Sequence, residues 1–215
     1  MVRVSVSVGR LINSDDDVAE GAAWLAQACP RMNHALSLTG ALPLRRKPDG
    51  FAQLLSAIVS QQVSVASASA IWARMEGAGY ITPEAVHVAQ EDGLRAVGLS
   101  RQKIRYALAL ADANIDYERL RQCPDPEVVR TLVAVPGIGA WTAEIYAMFS
   151  LGRADVFAPG DLALQEAARH LYNLPDRPRE KELRHMAEEW SPWRSVAARL
   201  LFAYYRVIKQ REGIS

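Results

Sequence analysis

The residues from Leu132 to Gln165, LVAVPGIGAWTAEIYAMFSLGRADVFAPGDLALQ, restrict the fold of this chain more than any other stretch. Leu132, Val133 and Val135 close one apolar segment. Trp141, Ile145 and Met148 open another at i, i+4 and i+7, the spacing of one helix face. Between them runs Pro136-Gly137-Ile138-Gly139. Pro136 lacks an N–H and restricts the residue before it, so the first helix ends there. The two glycines open backbone angles closed to other residues and leave no side chain in front of the loop. The loop leads straight into a helix N-terminus, where unpaired N–H groups point outward and bind phosphate well. Thr142 adds a hydroxyl in that first turn. The pattern is a helix–hairpin–helix. It reads either as a phosphate grip through Gly137, Gly139 and Thr142, or as a tight helical corner with no ligand. Past Phe157-Ala158-Pro159-Gly160 stands Asp161, at the head of a further helical pattern. Taken alone it is a helix cap or a lone reactive carboxylate.

The rest of the chain reads as helical pieces joined by Pro, Gly and Ser. Asp15-Asp16-Asp17 precedes the pattern Val18 to Cys29, and acids at a helix start suit the macrodipole. Pro30, Gly40, Pro43, Pro48 and Gly50 mark a loop stretch. Phe51, Leu54, Leu55, Ile58 and Val59 restore helical spacing. That pattern breaks at Ser60-Gln61-Gln62 and resumes through Ala66, Ala70, Ile71 and Trp72. Thr82-Pro83 supplies an N-cap and a first-position proline. Glu91 to Gly98 and Arg101 to Ala113 form two more pieces, Asp125-Pro126-Glu127 begins the helix before the hairpin, and Asp161 to Tyr172, Glu180 to Trp190 and Pro192 to Gln210 follow. Residues 1–13 alternate apolar and polar, as a short strand or an irregular arm would. With no strong partner run, the class is all-α.

Composition narrows function by exclusion. The formal net charge is +1, so contact with a polyanion must come from a local patch and from backbone amides. Cys29 and Cys123 are the only cysteines, too few for a disulfide framework, a four-cysteine cluster or a structural zinc site. His34, His87, His170 and His185 are scattered. No run of 18 apolar residues exists to span a membrane, and the start of the chain lacks the apolar core of a signal peptide.

VPGIGAWTA followed by DVFAPGDLALQ resembles the helix–hairpin–helix/Gly-Pro-Asp superfamily of DNA glycosylases, and within it the alkylbase branch, 3-methyladenine DNA glycosylase II. Three further segments match in order: Ile58-Val59-Ser60-Gln61-Gln62-Val63-Ser64, Gly98-Leu99-Ser100 with Lys103, and Trp190-Ser191-Pro192-Trp193-Arg194-Ser195. With the stretches around them they cover roughly residues 50–205. The resemblance implies a two-lobed helical bundle with the active-site cleft between the lobes and both termini in one lobe. Residues 1–45 would be an N-terminal arm and helix packing with the C-terminal lobe. Residues 46–130 would form the lobe carrying a duplex wedge. Residues 131–215 would hold the helix–hairpin–helix, the catalytic aspartate and the C-terminal helices. Larger relatives carry an extra N-terminal β domain, so a compact form is implied here.

The chemistry implied is excision of an alkylated base, of the 3-methyladenine or 7-methylguanine type, from duplex DNA in base excision repair. An enzyme that cuts a glycosidic bond inside stacked DNA must extrude the nucleotide. Asp161 matches the catalytic aspartate. A carboxylate near the anomeric carbon stabilises oxocarbenium character and can orient or deprotonate the attacking water. Gln62 matches the wedge position, where some relatives place an aliphatic side chain. Trp141 stands where lyase-active relatives carry a Schiff-base lysine, so the implied enzyme is monofunctional. A tryptophan face also attracts a cationic base. Trp141 and Phe202 match base-pocket aromatics, whereas Ile145 and Leu162 replace tyrosines of some relatives. Main-chain carbonyls of Val133, Val135 and Ile138 match positions that hold Na⁺ or K⁺; no other cofactor is required. Double-stranded DNA with alkylated bases is the expected partner, and a monomer with no membrane association, in the cytoplasm, the expected state. A glycosylase for other damaged bases, a helix–hairpin–helix module that binds DNA without chemistry, and an α-helical scaffold are the other readings.

Overall fold

The structure is a computed structural model and describes residues 8–211. In chain order its helices are α1 (Asp15–Ala28), α2 (Pro30–Thr39), α3 (Phe51–Ser60), α4 (Val65–Gly77), α5 (Pro83–Ala96), α6 (Arg101–Asp112), α7 (Tyr117–Gln122), α8 (Asp125–Val133), α9 (Ala140–Phe149), α10 (Leu162–Tyr172), α11 (Glu180–Met186) and α12 (Arg194–Arg211). A 3₁₀ turn, Ala187–Trp190, follows α11. The all-α class holds: among the described residues no strand forms, and Leu11 pairs with Arg153 only as an isolated antiparallel bridge. Residues 1–7 of the alternating N-terminal stretch lie outside the described residues.

The chain divides into two compact units, one made of Met1–Arg46 with Ala147–Ser215, the other of Lys47–Tyr146. In the second unit α3 is the central rod. Phe51, Leu54, Leu55, Ile58 and Val59 are all buried, at the i, i+3, i+4, i+7 spacing of one helix face. Each such side chain contributes roughly 1.5–3 kcal/mol on burial. α3 packs on α4 and α6, and α6 on α5. Polar caps set the helix starts: Ser64 accepts from Ser67 N, Thr82 from Ala85 N, Ser100 from Lys103 N, and Asp116 from Arg119 N. α5 is kinked at Gln90, whose φ of 52° and ψ of −170° separate the two pieces that the sequence pattern distinguished.

In the first unit α12 packs on α1, α2 and α10. Ser14 and Asp17 form a capping box at the start of α1. Gly21 faces Trp193 so closely that a Cβ there would lie 2.6 Å from the indole, which is why α1 needs a glycine at that crossing. Arg199 is 1% exposed. It donates to Leu44 O at 3.0 and 3.1 Å and to Ser195 O at 2.9 Å, tying the loop after α2 to α12.

Two sequence expectations change. The stretch from Pro30, read as loop, contains α2. Pro30 occupies the first helical position, where its missing N–H costs nothing, so it starts a helix instead of breaking one. Residues 131–146, grouped above with the C-terminal helices, belong to the 47–146 unit. Side-chain bonds hold them there. Gln61 Nε2 donates to Gly137 O at 2.8 Å, and the Tyr146 hydroxyl accepts from Gly50 N at 2.7 Å.

Candidate active site and nucleic-acid interface

The hairpin is a tight turn. Ile138 N donates to Val135 O at 3.0 Å, with Pro136 and Gly137 in the middle and Gly137 at φ 92°. Proline then glycine with positive φ is the signature of a type II turn. Gly137 also lies flat on Tyr106, where a Cβ would meet the ring at 2.4 Å. Gly139 differs: it is exposed, and a Cβ would find nothing within 4 Å. The space in front of Gly139 and the N-terminus of α9 is therefore open for a ligand. Ala143 N donates to Gly139 O at 3.0 Å, so the α-helical ladder begins at Gly139. Thr142 is only 7% exposed, which places its side chain inside the unit and leaves the outward face of this turn to backbone.

Gln62 lies in the turn between α3 and α4, exposed, with φ 55°. The neighbouring Gln61 reaches the hairpin carbonyl of Gly137, so the unit brings the wedge candidate and the hairpin together. Gln61, Gln62, Lys103, Tyr106, Gly137 and Gly139 line one cleft of about 560 Å³. Lys103 is 8% exposed, donates to Val59 O at 2.6 Å, and has its pKa lowered by burial. Trp141, on the first turn of α9, is 46% exposed, large for a tryptophan. Gln61 and Tyr106 had no sequence-based role. Gln61 was visible as one of two adjacent amides inside an apolar pattern, and Tyr106 only as a helical neighbour of Lys103.

In the other unit Asp161 is the N-cap of α10. Its Oδ1 accepts from Ala163 N at 2.9 Å and from Leu164 N at 3.2 Å. The turn before it is anchored by buried Phe157, whose ring meets Trp190 edge-on at 5.2 Å, and by Gln165 Nε2, which donates to Pro159 O at 2.8 Å. This support makes Asp161 a carboxylate on a rigid corner. Leu162 beside it is 62% exposed. Phe202, on α12, is half-buried, and Arg45 lies over its ring at 5.6 Å. Burial lowers the Arg45 pKa, as does the charge of Arg206. Nearby, burial pushes the Asp155 carboxyl up, but bonds from Arg194 and Ser191 outweigh it and hold the group below its usual range.

Among the described residues no group of three or more His, Cys, Asp or Glu is placed to hold a metal ion. No helix among them is long and apolar enough to cross a membrane. The cation candidates expected from the sequence, the main-chain carbonyls of Val133, Val135 and Ile138, are neutral donors. Uncharged hard oxygens fit a singly charged cation and not a transition metal. Val135 O also accepts from Ile138 N, which fixes that carbonyl within the turn.

Comparison with known proteins gives consistent results. The family model described as "HhH-GPD superfamily base excision DNA repair protein" matches residues 55–192. A DNA-3-methyladenine glycosidase structure from Bacillus halodurans superposes with a TM-score of 0.80 at 31% identity, covering 94% of each chain. The 3-methyladenine DNA glycosylase of Schizosaccharomyces pombe, solved in complex with abasic DNA, gives 0.75 at 27% identity, covering 85% of this chain and 95% of that one. In sequence, the chain is 30% identical over 161 residues to DNA-3-methyladenine glycosylase 1 of the same yeast, 71% of either protein. The turn of glycines, the capping aspartate and these matches lead to one conclusion: the chain belongs to the HhH-GPD superfamily of base excision DNA repair proteins.

Proposed function

We infer that this chain is a monofunctional DNA glycosylase that removes alkylated bases from duplex DNA. The observation that carries the reading is the likeness to a DNA-3-methyladenine glycosidase over 94% of both chains at 31% identity. The abasic DNA bound by the yeast neighbour is the product such a reaction leaves.

Backbone amides at Gly137, Gly139 and the start of α9 hold a strand phosphate. Gln62 fills the gap left by the extruded nucleotide. Trp141 and Phe202 offer ring faces to the base, and the electron-rich indole favours a cationic one. The bond between the sugar's anomeric carbon and the base nitrogen then breaks. Its electron pair goes to the base, which neutralises the charge of an N3- or N7-alkylated purine. Asp161 stabilises the positive charge left on the sugar. Water adds to that carbon and its proton passes to the carboxylate or to solvent. The products are a free base and an abasic site. The hairpin has no lysine to form a Schiff base, so no strand cleavage accompanies release. The main-chain carbonyls of Val133, Val135 and Ile138 would hold Na⁺ or K⁺, which would supply a positive charge to the phosphate grip. We take the working form to be a monomer in the compartment that holds the DNA.

The test is incubation with duplex DNA methylated at N3 of adenine and N7 of guanine. Free methylated base should appear, with the strand intact until alkali is added. Binding of the duplex without release would leave only the non-catalytic module; strand scission without alkali would reject the monofunctional assignment.

A further inference from the structure

The motif Gly98-Leu99-Ser100 with Lys103 takes no part in the chemistry above, yet it meets the wedge turn directly. α3 ends at Ser60, and the chain turns through Gln61 and Gln62 before Ser64 caps α4. Gln62 occupies the left-handed region at φ 55°, where a non-glycine residue is held only by its surroundings. Two side chains hold this turn. From α6, the buried Lys103 donates from Nζ to Val59 O at 2.6 Å, on the last turn of α3. Ser100 fixes the start of α6 through Lys103 N. Next to Gln62, Gln61 Nε2 donates to Gly137 O at 2.8 Å, and Gly137 rests on the Tyr106 ring of the same α6. One helix thus backs both the wedge turn and the hairpin, and Gln61 bridges them.

We propose that Gln61 and Lys103 are positioning residues that set the spacing between Gln62 and the Gly137–Gly139 turn, so that gripping the strand and filling the duplex gap occur as one event. The inference rests on the glycosylase reading. It goes further by locating the control of base extrusion in two side chains that touch neither the base nor the sugar. Holding the phosphate at a fixed distance from the wedge turns binding into extrusion, because the ordering of Gln62 is complete before DNA arrives. With the bridge cut, the hairpin still binds phosphate and the cleavage chemistry is intact, but Gln62 must be ordered at each encounter.

The experiment compares single-turnover base release, at saturating enzyme, from two duplexes carrying the same methylated base. In one the base is normally paired; in the other it sits in a bulge, where extrusion costs little. Gln61→Met keeps the length and removes the donor. Gln61→Glu is the second variant, and faces the Gly137 carbonyl with an acceptor. Both should slow release from the paired duplex by about tenfold, the value of a lost hydrogen bond, and from the bulge by less than about twofold. Lys103→Met should show the same selectivity. The fluorescence rise of a 2-aminopurine beside the lesion should fall with the rate on the paired duplex. Equal losses on both duplexes would mean a merely structural role and would overturn the proposal, as would full activity on both. If the parent protein releases no base from either duplex, the glycosylase reading itself fails and takes the inference with it.

Discussion

Asp161 caps a helix, and it is assigned to chemistry; substitution separates the two roles. Asparagine keeps an oxygen for Ala163 N and Leu164 N, the two bonds at 2.9 and 3.2 Å, and is as good an N-cap as aspartate. Asp161→Asn should therefore keep the cap and lose the charge at the helix start, a term of about 0.3–1 kcal/mol. Asp161→Ala loses both bonds, about 0.5–2 kcal/mol, which for a chain of this size lowers Tm by roughly 2–6 °C. The catalytic cost is of another order. A carboxylate about 4 Å from a developing unit charge, at an effective dielectric of about 20, contributes about 4 kcal/mol. That corresponds to about a thousandfold in rate. Both variants should thus lose about three orders of magnitude in single-turnover release, with near-parent affinity for abasic duplex by fluorescence anisotropy, and the alanine form should melt earlier than the asparagine form. An asparagine variant within about tenfold of the parent rate would show that the carboxylate is a cap and nothing more.

The two hairpin glycines should fail in different ways. Gly137→Ala combines φ 92° with a methyl 2.4 Å from the Tyr106 ring, so Tm should drop by roughly 4–8 °C in a melting scan. Gly139→Ala meets nothing within 4 Å and should fold normally, yet its methyl stands before the exposed amides and should weaken duplex binding about tenfold by anisotropy. Trp141→Ala removes a ring that is 46% exposed, and release of cationic bases should slow by about tenfold in the single-turnover assay. The Asp17 carboxyl is held down to about 2, first by the Asn13 amide and then by Arg10 and Ser14. Its folded pKa lies below the unfolded value, so its stabilisation is complete above about pH 4 and vanishes as pH falls towards 2. The Tm gap between the parent and Asp17→Asn should close over that window.

Helix starts were legible in the residues because a cap reaches only three positions along the chain. Thr82, Ser100 and Asp161 each bond a backbone N–H two or three residues ahead, whereas the caps at Ser14 and Ser64 emerge only in the structure. The buried face of α3 was legible for the same reason, since a helix repeats its own period. Pro30 is ambiguous in the sequence because proline marks both the end of one helix and the first position of the next, and only the geometry at Cys29 chooses. Thr142 looked like a phosphate ligand because it stands in the first turn; which side of that turn is inside depends on what packs against it, and packing buries it.

The amino-acid sequence by itself determined that this chain is helical, where most of its helices begin, and that a glycine turn and a lone aspartate stand in the order of a repair glycosylase. Only the tertiary structure decided that the glycine turn belongs with residues 47–130, that Gln61 bonds Gly137 across 76 positions, and that Lys103 bonds Val59 across 44. The physical reason is range. Capping and periodicity act within one or two turns of a helix, whereas a bond between distant segments exists only after burial of their apolar faces has brought them together.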